Sequence, residues 1–326
     1  MKRYSIRKYQ TNDFALWNEF VAQAKNATFL FHRDFMEYHQ DRLEDFSLLA
    51  LDENQEIQAI LPANVVGSTV FSHQGLTYGG IVIKESTKLS DFIAITNAIL
   101  AFLKSQNKEK LQLKQIPSIY CQKPADELQY LVFLLKGNLV RRDVLSVLDL
   151  KANFTFSRDR KNGIKRGLKN NLVVKEVATF ASFWNEILIP NLTEKHQALP
   201  VHSLEEIQFL HSKFPKNIRQ FNVYENNKIV AGTTIFESEL VAHSQYISGN
   251  SYKNELGSLD FLHDYLISNV FKDKKYFDFG ISNENQGKNI NEGLLYWKES
   301  FGARTITQDF YEVEIQNHTF LDTVLL

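Results

Sequence analysis

The chain contains Phe180-Ala181-Ser182-Phe183-Trp184-Asn185-Glu186-Ile187 near its middle and Phe14-Ala15-Leu16-Trp17-Asn18-Glu19-Phe20 near its start. The two Trp-Asn-Glu segments lie 167 residues apart, and later landmarks recur in the same order at similar spacing. The recurring pairs are Glu56-Ile57-Gln58-Ala59 with Lys228-Ile229-Val230-Ala231, His73 with His243, and Leu111-Gln112-Leu113 with Phe277-Asp278-Phe279. This spacing is too long for a solenoid repeat and matches a whole domain. The sequence therefore predicts two copies of one fold.

Length and composition are those of a soluble globular protein with room for two domains. Of the 326 residues, 44% are hydrophobic and 13% are aromatic, which excludes a disordered chain. The net charge of −1 gives no overall field that would attract nucleic acid, so a polyanion site would have to be a local patch. The charged N-terminus lacks the apolar run of a secretory signal, and the longest apolar run, residues 130–135, cannot span a bilayer. Because the one cysteine, Cys121, cannot form an intrachain disulfide, a cytoplasmic protein is expected.

Both copies show the same order of predicted elements: two helices, three strands joined mostly by hairpins, a helix, a strand, a helix and a closing strand. In the first copy the later helices are predicted at 31–43, 89–103 and 125–136, and the strands at 46–52, 57–66, 69–73, 110–115 and 140–150. In the second copy they are predicted at 203–214, 258–270 and 290–301, and at 219–224, 228–236, 240–248, 276–280 and 305–315. This order predicts an α/β fold (α+β mixed sheet) with helices on its faces. The predicted domains are residues 1–150 and 171–326, joined by a basic linker at 151–170.

The element order resembles the GNAT acyltransferase fold, and two such units joined by a basic segment resemble the Fem-type peptidyltransferases. The resemblance is carried by Gly75-Leu76-Thr77-Tyr78-Gly79-Gly80, Arg160-Lys161-Asn162-Gly163-Ile164-Lys165-Arg166, Tyr276-Phe277-Asp278-Phe279-Gly280 and Gly293-Leu294-Leu295-Tyr296-Trp297-Lys298-Glu299-Ser300-Phe301-Gly302. The last stretch is similar to the family's Gly-x-x-x-Phe-Lys-x-x-Phe-Gly ending. The resemblance implies two tandem GNAT-like domains that transfer an acyl or aminoacyl group to an amine.

The same resemblance implies the partners of the reaction. The donor would be an acyl-CoA or an aminoacyl-tRNA, and the acceptor a small amino compound or a peptidoglycan precursor of a bacterial cell wall. Some tRNA-using members carry a long coiled-coil arm in the second domain, and no heptad stretch in this sequence is long enough to form one. The choice between CoA and tRNA therefore stays open, and so does the oligomeric state.

A donor site is expected in the second copy. GNAT proteins bind the donor pyrophosphate at a helix start, where unpaired N–H groups and the helix dipole stabilise it. The residues at that place are Lys253, Leu256, Gly257 and Ser258, where Gly257 would allow close approach of a phosphate and Lys253 would add charge. The alternative is a simple loop with Ser258 as the helix N-cap. The first copy has no glycine and two acids there, Glu85-Ser86-Thr87-Lys88-Leu89-Ser90-Asp91, so the resemblance assigns the donor to the second copy and the acceptor to the first.

Three further groups are candidates for binding the substrates. Tyr78, Gly79 and Gly80 follow the hairpins of the first copy, where the resemblance puts Tyr78 beside the acceptor; the alternative is a plain turn. The basic linker carries Arg160, Lys161 and Lys165 at helical spacing, which suits phosphate binding or simply a solvated connector. Lys298 on the last helix is either a cation in the cleft or solvent-facing.

Aminolysis of an ester or thioester needs alignment and removal of an amine proton, so an acid or histidine is expected nearby. The candidates are Asp278, His243 and His73, with Glu284, Asp143 and Asp309 as weaker ones. Asp278 stands between two phenylalanines on a predicted central strand, where a carboxylate needs a partner. No histidine or cysteine falls in a metal-ligand spacing, and no Gly-x-Ser-x-Gly or phosphate-loop motif occurs, so neither a metal nor serine-hydrolase chemistry is expected.

The sequence thus favours an N-acyltransferase with its acceptor cleft between the halves and its donor on the second half. An alternative is a noncatalytic protein that binds a peptide or glycan on a GNAT scaffold whose donor site has decayed; closure of the approach at Gly257 would favour it. A third hypothesis is nucleic-acid binding through residues 158–169, for which a strong salt dependence of tRNA affinity is required.

Overall fold

The computed structural model describes residues 2–325 of the chain. It divides into two compact units, one formed by Met1–Asp143 with Thr307–Leu326 and the other by Val144–Ile306. The elements of each unit follow from the hydrophobic periodicities of the corresponding sequence copy, and the α/β class with mixed sheets is confirmed.

The first copy forms strands and helices at most of the predicted places. The strands are β1 Ser5–Lys8, β2 Leu48–Leu51, β3 Ile57–Leu61, β4 Asn64–Val66, β5 Thr69–Phe71, β6 Val82–Ile83, β7 Lys110–Lys114 and β8 Asn138–Asp149. The α-helices are α1 Phe14–Gln23, α2 Arg33–Met36, α3 Leu89–Ser105 and α4 Glu127–Leu134. Short 3-10 helices cover Thr11–Asp13, Phe29–Phe31, Glu37–His39 and Ser118–Tyr120.

The second copy has the same kind of elements. Its strands are β9 Val173–Val177, β10 Ile218–Glu225, β11 Lys228–Glu237, β12 Val241–Gly249, β13 Tyr276–Ile281, β14 Asn283–Glu284, β15 Asn289–Ile290 and β16 Arg304–Glu314. Its α-helices are α5 Arg158–Lys169, α6 Ile189–His196, α7 Leu204–Lys213, α8 Lys253–Leu256, α9 Ser258–Tyr265 and α10 Glu292–Glu299. Phe183–Leu188 and Leu266–Val270 are π-helical, and Ile315–Leu321 is a 3-10 helix.

The two units differ from the predicted division at 150 and 171 because the closing strands are exchanged. β8 belongs to the first copy, yet residues 145–149 pair with β13 of the second copy. β16 belongs to the second copy, yet residues 310–314 pair with β7 of the first. The predicted linker is also part of a unit, since α5 packs against α9. An apolar strand pattern shows that a strand forms but does not identify its partner, so the sequence could not reveal the exchange.

Each unit has its own sheet order and core. The first contains β1-β2-β3-β6 and the order β4-β5-β7-β16, with α3 buried against them through residues such as Phe92 and Leu100. The second has the order β8-β13-β12-β11-β10-β9, with Leu262 of α9 and Phe277 of β13 in its core. Most neighbouring strands are antiparallel, but β5 with β7 and β12 with β13 are parallel.

The repeated Trp-Asn-Glu segment plays the same structural role in both units. Trp17 Nε1 donates to the carbonyl oxygen of Phe31 at 2.8 Å, and Trp184 Nε1 donates to that of His202 at 3.2 Å. Both indoles are fully buried, so each N–H needs such a partner. The second copy has one extra residue before its tryptophan, and the chain accommodates it as a π-helical turn that packs Phe183 against Gly232.

Two predicted elements of the first copy are interrupted. The helix expected at 31–43 breaks into two 3-10 turns and α2, because His32 adopts an extended conformation. The strand expected at 57–66 divides into β3 and β4 at Pro62, which cannot donate a ladder hydrogen bond.

Candidate active site

The candidate site lies in the second unit, where β12 and β13 separate. The two parallel strands are paired only over residues 241–243 and 276–278, and the last pair is His243 with Asp278. Beyond it, β12 continues beside β11 while β13 continues beside β8. Two predicted catalytic residues therefore stand together at the point where a gap opens in the sheet.

His243 and Asp278 form a hydrogen-bonded dyad. Asp278 is fully buried, and its Oδ2 lies 2.9 Å from His243 Nδ1 while its Oδ1 accepts the N–H of Gly280 at 2.7 Å. A carboxylate can only accept, so in this geometry it favours the tautomer of a neutral imidazole that carries its proton on Nδ1 and its lone pair on Nε2. The His243 side chain is 12% exposed, and Nε2 has no hydrogen bond to any residue from 2 to 325. The imidazole is thus oriented and has a free basic nitrogen.

Gly280 fits closely against this dyad. It has a φ of +72°, and a Cβ there would lie 3.2 Å from His243 Cε1. The glycine turns the end of β13 so that its N–H faces Asp278. The sequence analysis included Gly280 in one of the stretches that carry the family resemblance but did not predict its contact with the dyad.

Lys298 of α10 secures the same strand end from inside the unit. Its side chain is 2% exposed, and Nζ donates to the carbonyl oxygens of Gly280 at 3.0 Å and Ile281 at 2.6 Å. Burial lowers the pKa of Lys298 to about 8, although the charge of Asp278 acts in the opposite direction. Of the two interpretations of Lys298, the solvent-facing one is therefore wrong.

Buried polar atoms without a protein partner are concentrated on the elements around the gap. In the described part of the chain they include Ser244 Oγ, Gln245 Oε1 and Ser248 Oγ on β12 and Ser282 Oγ directly after β13. Gln245 is the extra residue of a β-bulge, since Ser244 and Tyr246 are opposite Ile235 and Thr234 while Gln245 has no partner on β11. Native proteins leave few buried polar groups unsatisfied, so this concentration indicates contact with a ligand or water. No sequence signal identifies a bulge in an apolar strand, and Gln245 was not a candidate.

Comparison with solved structures identifies the fold of the chain. No family model and no curated protein matches the sequence. Among solved structures, FemX matches 96% of this chain and 98% of its own, with a TM-score of 0.65 and 10% identity. The C-terminal domain of a protein assigned as lysylphosphatidylglycerol synthetase in Agrobacterium fabrum matches 95% of each chain, with a TM-score of 0.58 and 12% identity. A tandem GNAT protein from the clavulanic acid biosynthesis pathway matches 97% of this chain and 99% of its own, with a TM-score of 0.50 and 10% identity.

The chain has the tandem GNAT fold. None of the helices between residues 2 and 325 combines the length and the apolar composition that a membrane span requires. The same residues contain no group of three or more His, Cys, Asp or Glu that could hold a metal ion.

At the predicted phosphate cradle, the space beside Gly257 is occupied by helix α5. Gly257 has a φ of +68° and joins α8 to α9, but a Cβ there would lie 2.1 Å from the carbonyl oxygen of Gly163 in α5. The missing side chain at Gly257 thus allows the close approach of helix α5 rather than that of a phosphate. Ser258 is fully buried and makes no cap hydrogen bond, so the N-cap alternative is wrong as well. Lys253 and Leu256 lie in α8, beside this closed contact.

The predicted basic linker forms helix α5, which packs against α9 on one side and is exposed on the other. Gly163 and Gly167 face Asp260 and Phe261 so closely that a Cβ at either position would overlap them. Arg160 also points inward, where it pairs with Asp260, whose Oδ1 accepts Trp297 Nε1 at 2.8 Å. Arg160 is therefore a structural residue and its assignment to phosphate binding is wrong. The cations of α5 that remain exposed are Arg158, Lys161, Lys165, Arg166 and Lys169.

The first unit has other residues at the positions of the dyad, and its own chain occupies the space that corresponds to the gap. At the register positions of His243 and Asp278 it has Phe71 and Gln112. His73, matched to His243 by sequence, lies beyond β5 with a φ of +66°, and burial together with the nearby His39 lowers its pKa to about 3. A group with that pKa in a closed core cannot serve as a base near neutral pH.

The Tyr78-Gly79-Gly80 segment forms part of this filling. Tyr78 is buried and its hydroxyl shares a 2.8 Å hydrogen bond with Thr28 Oγ1, so it does not line a cleft. Gly79 donates to the carbonyl oxygen of Lys114 at 2.6 Å, and a Cβ on it would lie 1.9 Å from the carbonyl oxygen of Ser72. Gly80 has a φ of +106°. Close packing thus requires a glycine at position 79 and the backbone conformation favours one at position 80, so the acceptor assignment of all three residues loses its basis.

The remaining acidic candidates are engaged elsewhere or exposed. Arg141 binds Asp143 through two hydrogen bonds, and Arg142 binds Asp309 likewise. The two hydrogen bonds from each guanidinium occupy both oxygens of its carboxylate. Glu284 is exposed on β14.

Proposed function

We propose that the chain is an N-acyltransferase whose transfer site is the gap between β12 and β13. The observation that carries this proposal is the His243–Asp278 dyad, placed where the strands separate and with Nε2 unoccupied. An amine nitrogen attacks the carbonyl carbon of the activated donor while His243 Nε2 takes its proton. The bond from that carbon to the ester oxygen or thioester sulfur then breaks, and the imidazolium returns the proton to the leaving group. Asp278 keeps the imidazole in the productive tautomer and stabilises its positive form.

The gap itself supports binding of an extended ligand. The edge of β12 beyond His243 is no longer paired with β13, so its backbone groups can hydrogen-bond an added chain. The unpartnered hydroxyls of Ser244 and Ser248 add donors and acceptors beside it. Gln245, the bulged residue two positions after His243, is our candidate for an oxyanion donor at the reacting carbonyl.

Between the two donor classes, we favour an aminoacyl-tRNA. At the usual place for a CoA pyrophosphate, the start of α9, the Gly163 carbonyl occupies the space beside Gly257 that a phosphate would approach. The exposed cations of α5 provide a local positive surface on a chain of net charge −1, which suits a polyphosphate backbone. The likeness to FemX supports a cell-wall precursor as the amine acceptor. Cys121 is a buried free thiol, which fits the reducing cytoplasm.

A transfer assay tests the proposal. Purified protein is incubated with charged tRNAs and with an acyl-CoA panel, each with amine acceptors, and donor loss and product are followed. We expect turnover with charged tRNA and a loss of about 10²–10⁴ in kcat for His243→Ala. Absence of both binding and consumption of every donor would exclude an acyltransferase. Turnover with acyl-CoA alone would support an acyltransferase but exclude aminoacyl-tRNA as its donor.

The closed contact at Gly257 also favours a second candidate, a noncatalytic protein that binds a peptide or glycan. That function predicts equal ligand affinity for the wild type and Asp278→Asn, with no transfer by either. The enzyme predicts that the wild type turns over and that Asp278→Asn does so more slowly by about 10²–10⁴. A paired binding and turnover measurement on the two proteins separates the candidates.

A further inference from the structure

The end of β13 and the hairpin that follows it carry two exposed isoleucines. Ile281 is the last residue of β13 and is 39% exposed, and Ile290 belongs to β15 and is 49% exposed. Within the part of the chain that the structure describes, neither side chain belongs to the apolar core of the unit Val144–Ile306. All residues from 282 to 289 are polar or glycine. Packing of the hairpin therefore does not explain the two isoleucines.

The strand register places Ile281 on the face of the sheet that carries the dyad. Asp278 is paired with Val147 of β8, and Ile281 is paired with Leu145. β13 has one extra residue between these two pairs, as in a β-bulge. Residues two apart on β8 point to one face, and paired residues share a face. Ile281 therefore lies on the same face as Asp278 and as His243, which is paired with Asp278.

Ile290 continues this surface along the hairpin. It is paired with Asn283, which comes two residues after Ile281 and so points to the same side of the chain. The side chain of Asn283 is itself held in place, since Oδ1 accepts the N–H of Val144 at 2.6 Å and Nδ2 donates to the carbonyl oxygen of Gly287 at 3.3 Å. Ile281 and Ile290 thus form an apolar patch, continuous along the chain with the strand of the dyad.

The apolar patch has a fixed backbone and is specific to the second copy. Lys298 Nζ donates to the carbonyl oxygens of Gly280 and Ile281, which holds the end of β13. In the alignment of the two copies, the residue of the first copy that corresponds to Ile281 is Gln115, which is polar and buried. The 3-10 helix Ser118–Tyr120 follows it in place of a hairpin. Because the duplicated fold forms without the isoleucines, their presence in one copy requires a separate reason.

We propose that the apolar patch binds the acceptor of the transfer through an aliphatic or aromatic side chain next to its amine. This inference rests on the proposed function and adds the chemical class of the acceptor. The free edge of β12 beyond His243 is available to an extended ligand, which leaves the β13 side for the other substrate. An apolar side chain that covers the two isoleucines is removed from water together with them. The amine then lies on the face where His243 Nε2 takes its proton.

Equilibrium binding to the full chain tests the apolar patch without turnover. The probes are glycinamide, L-alaninamide and L-leucinamide, which share the amine and the amide and differ in apolar area. Binding is followed by the NMR signal of the proton on His243 Cε1, assigned by its absence in His243→Ala. We expect L-leucinamide to bind about five- to tenfold more tightly than glycinamide.

Two matched variants locate the preference. Ile290→Ser should reduce the ratio of the two affinities to about twofold or less. Val173→Ser removes an apolar side chain of the same 49% exposure from β9 of the same unit and should keep the wild-type ratio. Circular dichroism of each variant establishes that it is folded. The proposal is overturned if none of the amides binds, if L-leucinamide and glycinamide bind equally well to the wild type, or if the two variants show the same ratio.

A transfer assay with the same three acceptors tests the proposed function separately. Alanyl-tRNA and acetyl-CoA serve as donors. Faster transfer to L-leucinamide than to glycinamide would support both proposals. Transfer without that preference would reject the role of the apolar patch and retain the acyltransferase. A binding preference without any transfer would contradict the proposed function and leave the patch as a binding site for an apolar amine.

Discussion

A single hydrogen bond, from His243 Nδ1 to Asp278, determines which nitrogen of the imidazole is basic. Asp278→Asn preserves the shape but can donate to Nδ1 and stabilise the opposite tautomer. We expect kcat for transfer to fall by about 10²–10⁴ with little change in the KM for the acceptor. The matched control is Gln112→Ala, at the same register position of the other parallel pair, which should retain kcat. A retained kcat in Asp278→Asn would remove the dyad from the mechanism.

Lys298 links protonation to stability. Its pKa in the folded protein is about 8, against 10.5 for the free side chain, so the unfolded chain binds more protons between these values. Stability relative to Lys298→Met should therefore rise from pH 8 to pH 10.5, by on the order of 3 kcal/mol at most. Urea unfolding of both proteins at pH 7, 9 and 10.5 measures the difference. A constant difference across this range would contradict burial of the charged ammonium.

Among the elements, helices α5 and α9 pack closely because α5 has glycines at their contact. A Cβ on Gly163 would lie 1.7 Å from Asp260 Oδ2, so Gly163→Ala must separate the helices or displace the Arg160–Asp260 pair. We expect a loss of about 1–3 kcal/mol in the free energy of unfolding. Asn162→Ala, one residue earlier and exposed, should instead be neutral or slightly stabilising because alanine favours helix. Equal melting temperatures for the two variants would show that the helices can separate without loss.

The same elements show what the sequence could and could not predict. Helix and strand periodicity predicted most elements, and the duplicated tryptophans predicted the repeat, because these signals are local. Asp278 was singled out because a carboxylate between phenylalanines needs a partner, and His243 is that partner. Gly257 and Gly79 were assigned to ligands, whereas their neighbours are Gly163 and Ser72 of the chain itself. A glycine indicates a close approach, but the approaching group is set by tertiary contacts that one sequence does not encode.

For the whole molecule, the exchange of closing strands sets which fragments can fold. Residues 144–306 form a contiguous unit that includes residues 144–149 of β8 and all of α5, whereas 171–326 lacks both. We expect the fragment 144–306 to unfold cooperatively on heating and the fragment 171–326 to show no cooperative transition. Differential scanning calorimetry of the two fragments makes the comparison. A cooperative transition of 171–326 at the same temperature would show that neither segment is needed.

The exchange of closing strands also affects the order in which the two units can fold during synthesis. Most of the unit Met1–Asp143 with Thr307–Leu326 precedes Val144–Ile306 in the chain, but β16, which pairs with β7, follows it. Since domains fold as units while the chain grows, Val144–Ile306 can be complete while the earlier unit still exposes the unpaired edge of β7. The unit that contains Met1–Asp143 is thus completed after Val144–Ile306, and a nascent chain stalled before residue 307 would be a substrate for chaperones.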